Sequence, residues 1–349
     1  MERAERDGKI VFVTGISGAG VDEALSGVHQ FAEKKGKQTR NIVIADKIFE
    51  HAADDHVPLT KENILNSDLD HMQSMRGGAL REIYNDINRR DLRKKYDATF
   101  IKGHSLFLWK DFYDDAWDSE KIQMFESSMY CTVIDDVGRI LKRLQSRKQW
   151  EGQNLTKSKL MTWTNLEVIT TRRWAREKKT PYYAIPATSP PSLLYRLAFE
   201  SDIEKVYVSM PLTHGYTKKI QEEVDRLVEG LEKSFVVFDP RRVDPISTTD
   251  SGAEIDVQTS RMITRRDLDW FVGPSDIVVV YFPKIVLSWG AVDETNKAHR
   301  TNKYTWLIWP HKDIPSPFAQ DDTHRIFESP EALLEYVEKR QQQKTEKQT

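Results

Sequence analysis

The sequence predicts an α/β protein of two domains, each built on a parallel sheet. Three observations carry this. Apolar, β-branched runs of strand length recur along the chain, amphipathic helical stretches separate them, and 349 residues exceed what one hydrophobic core usually holds. The halves share no internal repeat.

The first half opens with Lys9-Ile-Val-Phe-Val-Thr, a strand that runs into the glycine-rich turn Gly15-Ile-Ser-Gly18-Ala-Gly20 and then a helix from Val21 to about Lys35. A second strand is expected over Arg40 to Asp46, helical segments around Lys61 to Arg90, and a third strand over Asp97 to His104. Met129 to Asp135 reads as a fourth strand leading to a helix that bears Arg139, Arg143 and Arg147 one turn apart. A helix through Trp163 to Arg176 and a strand over Pro181 to Pro186 close the half. The turn-rich Thr188-Ser-Pro-Pro places the boundary, so residues 8–187 are expected to form the first domain and 188–202 a linker.

The second domain is expected over 203–338. Its first strand and loop are Lys205-Val-Tyr-Val-Ser-Met-Pro-Leu-Thr-His-Gly215, and a second strand ends in the turn Phe238-Asp-Pro-Arg-Arg242. The polar run between Asp244 and Asp256 reads as a loop with the composition of a lid. A helix carries Arg266-Asp267-Leu-Asp-Trp270, and Asp276 to Tyr281 is a buried strand. Ser288-Trp-Gly-Ala-Val-Asp-Glu294 then opens a helix at that strand's carboxyl end, where ligands bind in open α/β sheets. Trp306-Leu-Ile-Trp closes the sheet, and a short helix from Pro330 leads to a tail, 339–349, without apolar residues and expected to be disordered.

Composition narrows the class. A formal net charge of -2 argues against a nucleic-acid-binding surface spread over the whole protein, though not against a local patch. The single cysteine, Cys131, excludes an internal disulfide and reads as a small buried hydrophobe in its strand. No apolar run is long enough to span a bilayer and the start is charged, so no membrane contact and a cytoplasmic location are expected.

On Lys205 to Gly215, the Arg-Asp-Leu-x-Trp helix, the Asp276 strand and Ser-x-Gly-x-x-x-Glu, residues 203–312 resemble the nucleoside 2-deoxyribosyltransferase superfamily, which includes the 2'-deoxynucleoside 5'-phosphate N-hydrolases. The resemblance implies a Rossmann-like (flavodoxin-like) domain that cleaves the base–sugar bond of a nucleotide or nucleoside. Glu294 would be the nucleophile, and Asp267 would position the sugar or protonate the leaving base. Ser288, Gly290, Ser209 and Thr213, with Gly215, would bind substrate. Tyr207 and Trp289 are aromatic candidates for stacking on the base, although aromatics at strand ends more often fill the core. Met210-Pro-Leu-Thr-His departs from the loop of the monophosphate hydrolases, which leaves Arg241 and Arg242 as further cations for a phosphate. The chemistry requires no metal or redox cofactor, and the relatives imply a homo-oligomer. Alternatives are a deoxyribosyltransferase, a glycohydrolase acting on NAD, and a non-catalytic nucleotide sensor or scaffold.

The order of elements over residues 8–187 resembles the adenylate-kinase-like nucleoside monophosphate kinases, which implies a P-loop sheet with Gly15, Gly18 and Gly20 cradling a phosphate. Val21 stands where that motif keeps its phosphate-binding Lys and Asp22 where it keeps its Mg-binding hydroxyl. A regulatory, nucleotide-binding or dimerising domain is therefore expected rather than an active kinase. Arg139, Arg143 and Arg147 read either as a comb for phosphate or as a solvated face.

Overall fold

The computed structural model describes residues 7–109, 112–117, 119–211, 217–243 and 257–346. It divides into two compact units, Met1–Phe199 and Glu200–Thr349. Each is an α/β unit on a parallel five-stranded sheet, as the sequence predicts.

In unit 1 the strands are β1 (Lys9–Thr14), β2 (Thr39–Val43), β3 (Ala98–Gly103), β6 (Met129–Ile134) and β7 (Tyr182–Pro186), in the order β2-β3-β1-β6-β7. A separate antiparallel hairpin, β4 (Leu106–Trp109) and β5 (Phe112–Asp115), follows β3 directly and was not foreseen. The helices are α1 (Val21–Lys34), α2 (Ile44–Asp54), α3 (Leu69–Asn88), α4 (Arg90–Lys95), α5 (Ser119–Gln123), α6 (Val137–Gln145), α7 (Lys157–Lys178) and α8 (Pro191–Phe199).

Three expectations change. The second strand stops at Val43, because Ile44, Ile48 and Ala52 share one face of α2 and are buried there. The segment expected as a linker contains α8, whose Leu193, Leu194, Leu197 and Ala198 are buried and whose Tyr195 ring lies 5.1 Å from Phe31 of α1. Arg147 lies beyond the end of α6, so it does not share a helix face with Arg139 and Arg143. Cys131 is wholly buried in β6, and burial pushes its thiol pKa up, which suits the inert hydrophobe the sequence suggests.

In unit 2 the strands are β8 (Lys205–Ser209), β9 (Val236–Phe238), β10 (Ile277–Tyr281), β11 (Tyr304–Ile308) and β12 (Arg325–Phe327), in the order β12-β11-β10-β8-β9. Read from β9, this is the doubly wound 2-1-3-4-5 arrangement, whose direction reverses between β8 and β10. The helices are α9 (Lys218–Glu232), α10 (Val257–Arg265), α11 (Trp289–Arg300), α12 (Pro317–Asp321) and α13 (Pro330–Glu346).

Strand alternation sorts side chains to two faces. Val206 and Val208 join Ile277, Val279, Trp306 and the apolar stripe of α9 (Ile220, Val224, Leu227, Leu231) in one core. Tyr207 and Ser209 point to the opposite face, where α11 packs. The last helix runs into the segment expected as a disordered tail. Arg340 grips Glu204 through paired 2.6 Å hydrogen bonds and Lys344 adds one of 2.7 Å, tying a stretch without apolar residues to the start of β8. Only residues 347–349 of that tail are outside the described structure.

Candidate active site

The site of unit 2 forms on the α11 face of the sheet, at the reversal between β8 and β10. Helix α11 begins because Ser288 caps it, its Oγ accepting the N–H of Ala291 at 3.3 Å. From there Ala291, Glu294, Thr295 and Ala298 follow the helical repeat and turn toward the sheet. The repeat thus buries a carboxylate. Glu294 is only 9 % exposed.

Its oxygens are held from β8. Tyr207 donates its hydroxyl to Oε1 at 2.9 Å and Ser209 donates to Oε2 at 2.5 Å. Residues i and i+2 of a strand lie on one face, so these donors stand side by side under α11. The Tyr207 ring is fully buried and stacks 6.3 Å from Phe271. The core role expected for this aromatic is what it has, with its hydroxyl turned to the carboxylate.

The segment bearing Arg266 and Asp267 continues α10 but widens into a π-helical turn, Arg266–Val272, marked by Gly273 N–H donating to Leu268 C=O at 3.1 Å. That turn buries Arg266, Trp270, Phe271 and Val272 together. Arg266 donates from Nε and Nη2 to Oδ1 of Asp267 at 3.0 and 2.9 Å. Burial first, and then the negative charge of Asp267, push the Glu294 pKa up to about 8, against the hydrogen bonds of Ser209 and Tyr207 and the charge of Arg266. The same burial and the charges of Glu294 and Asp267 hold the Tyr207 hydroxyl well above its ordinary value.

Glu294, Asp267, Tyr207 and Ser209 are therefore one electrostatic group. Ser288 is engaged in capping α11, Trp289 is 76 % exposed on the first turn, and a Cβ added at Gly290 would meet nothing within 4 Å. Thr213 and Gly215, like the loop 244–256, lie outside the described residues. Arg241 is spent on Asp239 and Asp225, and Arg242 bonds Glu232, so these cations are already neutralised. The residue that sequence reasoning passed over is Arg266. Its signal was an Arg beside an Asp in a segment otherwise rich in buried aromatic and apolar residues.

In unit 1 the glycine-rich turn carries positive φ at Gly18 (80°) and Gly20 (92°), backbone that a side chain rarely adopts. Gly15 has no room for a Cβ, which would stand 2.6 Å from Val21 Cγ2. The N–H of Gly15 is engaged by Glu167 of α7 at 3.1 Å. Asp22 pairs with Lys102 at 2.5 Å, and Arg143 donates to the carbonyl of Gly18 at 2.7 Å. Arg139 and Arg143 both converge on the buried Asp135, at 2.5 and 2.7 Å, instead of forming a comb. Among the described residues, no helix is long and apolar enough to cross a membrane.

No family model matches the sequence, and no curated protein does. Among solved structures, a 2-deoxyribosyltransferase from Bacillus psychrosaccharolyticus is similar at 18 % identity and a TM-score of 0.31, over 37 % of this chain and 90 % of that one. A conserved protein from Enterococcus faecalis V583 is similar at 19 % identity and a TM-score of 0.30, over 40 % of this chain and 99 % of that one. A sugar kinase from Janibacter sp. HTCC2649 is similar at 17 % identity and a TM-score of 0.32, over 55 % of this chain and 93 % of that one. Likeness at this level transfers no activity.

Proposed function

We propose that unit 2 is an N-glycosidase acting on a nucleotide or nucleoside, with Glu294 as its nucleophile. The observation that carries this reading is a buried carboxylate at the sheet's reversal point, held on both oxygens by Tyr207 and Ser209 and placed within reach of the charge of Asp267. In the reaction, an oxygen of Glu294 bonds to the anomeric carbon as the bond from that carbon to the base nitrogen breaks. The base leaves with the electron pair and takes a proton from an acid. Water then attacks the same carbon, returns the carboxylate and releases the sugar. A second base in place of water would make the enzyme a transferase.

Tyr207 and Ser209 orient the nucleophile, and Arg266 fixes Asp267 where it can meet the sugar or the departing base. The choice of a nucleoside or nucleotide as substrate rests on the resemblance of the Arg-Asp-Leu-x-Trp and Ser-x-Gly-x-x-x-Glu segments. One observation favours a second reading, a nucleotide sensor without turnover: Asp267 is engaged by Arg266 in a salt bridge of 2.9 Å. The test is to incubate wild type and Glu294→Ala with nucleosides, 5'-monophosphates, their deoxy forms and NAD, and to follow released base by chromatography. Base released by wild type alone is expected. Binding without release by either protein would sink the glycosidase reading and leave the sensor.

A further inference from the structure

The amino end of the unit 1 sheet carries a group of cations that neither the glycine-rich turn nor the candidate active site uses. Two segments meet there, because β2 and β3 pair from their first residues, Thr39 against Ala98. The N–H of Asp97 donates to the carbonyl of Gln38 at 2.7 Å, and its carboxylate accepts the N–H of Gln38 at 2.9 Å. This clasp sets the end of α1, with Lys34 and Lys35, beside the last turn of α4, with Lys94 and Lys95. Gly36, at a φ of 70° with open space where a Cβ would stand, turns the chain between Lys35 and Lys37.

The neighbouring carboxylates are spent on other cations. Lys37 pairs with Asp97 at 2.9 Å, Arg40 faces Asp86 at 3.7 Å, and Arg93 is held by Glu126 at 2.8 Å. Lys34, Lys35 and Lys95 are exposed and make no ion pair among the described residues. Aromatic rings hold two of them instead. Lys35 lies 5.8 Å from the centre of the Phe31 ring, and Lys95 shares the Tyr96 ring with Arg40, each at 5.3 Å. A ring steadies an ammonium without cancelling its charge, so these lysines keep theirs for a partner.

A stable protein partner would need an apolar centre to bury, and a membrane an apolar side chain to insert. Among the described residues of 31–42 and 89–97, no large apolar side chain is exposed. A regular polyanion requires neither, only cations spread over a surface and free of carboxylates. Lys and Arg also outnumber Asp and Glu over residues 1–199, although the whole chain has a net charge of -2. We propose that this face of unit 1 binds the phosphodiester backbone of a nucleic acid through Lys34, Lys35 and Lys95. It lies at the opposite end of the strands from the glycine-rich turn, and it does not depend on the reading of unit 2.

The test is fluorescence anisotropy of the full chain with a labelled single strand of about twenty nucleotides, and with the duplex of the same sequence, over a range of salt. Three phosphate contacts predict that the logarithm of affinity falls with the logarithm of salt at a slope of about -2 for the single strand and about -2.7 for the duplex. Binding of either probe supports the proposal, and the tighter of the two names the form of nucleic acid the face takes. Lys35→Ala with Lys95→Ala should weaken single-strand binding about 25-fold at about 0.1 M salt and reduce the slope to about -0.7. The same pair of changes at the exposed Lys312 and Lys339 of unit 2 should alter neither. Glu33→Gln, which removes an exposed carboxylate next to Lys34, should tighten binding about twofold or more. The proposal is overturned if neither probe binds at about 0.05 M salt or if the Lys35 and Lys95 double variant binds as wild type does. It is also overturned if polyglutamate or vesicles containing phosphatidylserine bind as tightly as the nucleic acids, which would make the partner an acidic protein or a membrane.

Discussion

Each unit buries a glutamate beside the carboxyl end of its first strand, and the two are held in different ways. Glu167, wholly buried on α7, accepts backbone N–H groups: Gly15 and Ser105 on Oε1 at 3.1 and 2.8 Å, and Leu106 on Oε2 at 2.8 Å. Among the described residues, Glu294 accepts side-chain hydroxyls alone, and a second acid lies close enough to act on it. Backbone donors belong to the turns they fix, so Glu167 clasps the turn after β1 to the turn after β3. Hydroxyl donors can be changed without moving the chain. A carboxylate so held, with another acid nearby, has the means for group transfer.

The largest test of this contrast is Glu294→Ala, which should reduce base release by at least about 10³-fold while leaving the melting temperature close to wild type. A loss of folding instead would make Glu294 a clasp like its counterpart. Next comes Glu167→Ala, which strands the N–H groups of Gly15, Ser105 and Leu106 and should destabilise unit 1 by about 3 kcal/mol in denaturant unfolding. Base release per folded molecule should not change.

Glu167 also sets a pH dependence. Burial, opposed by the N–H donors of Ser105, Leu106 and Gly15, raises its pKa to about 7, above the unfolded value of about 4.3. The folded state then holds the proton more tightly. This group's contribution to stability is complete below about pH 4.3 and is lost as the pH rises through about 7. Melting curves of Glu167→Gln across that range should lack this slope.

Smaller effects distinguish the supports of Glu294. Tyr207→Phe keeps the ring against Phe271 but deletes the hydroxyl, and should reduce kcat by about tenfold with little change in KM. Asp267→Asn removes the charge that adds to burial in raising the Glu294 pKa. If Glu294 is the nucleophile proposed above it must be ionised, so activity should rise with pH through that pKa, and the variant should begin its rise at lower pH. A profile of kcat/KM that does not move would deny Asp267 its influence on Glu294.

Much of this arrangement was legible because it is local. The buried strands announce themselves by β-branched runs, and Ser288 to Glu294 shows both a cap and the spacing that turns Glu294 inward. What escaped notice depends on partners distant in sequence. Glu167 reads as one more polar residue of a long helix until α7 packs beneath the turns at Gly15 and Ser105. The β4–β5 hairpin is too short to carry a clear period, and its buried residues gain their meaning from the core they meet. Arg340 and Lys344 look like solvated tail residues, yet Glu204, far earlier in the chain, orders them.

The sequence by itself determined the two α/β units and most of the strands and helices that build them, because each follows from periodicity within a single element, whereas the acids and hydroxyls of the candidate site were named from a family resemblance. Only the tertiary structure decided that Tyr207 and Ser209 share one carboxylate, that Arg266 holds Asp267, and that Asp97 clasps Gln38 so that the lysines of α1 and α4 meet. These are pairings between elements, and a side chain's burial and charge are set by whatever the folded chain brings against it.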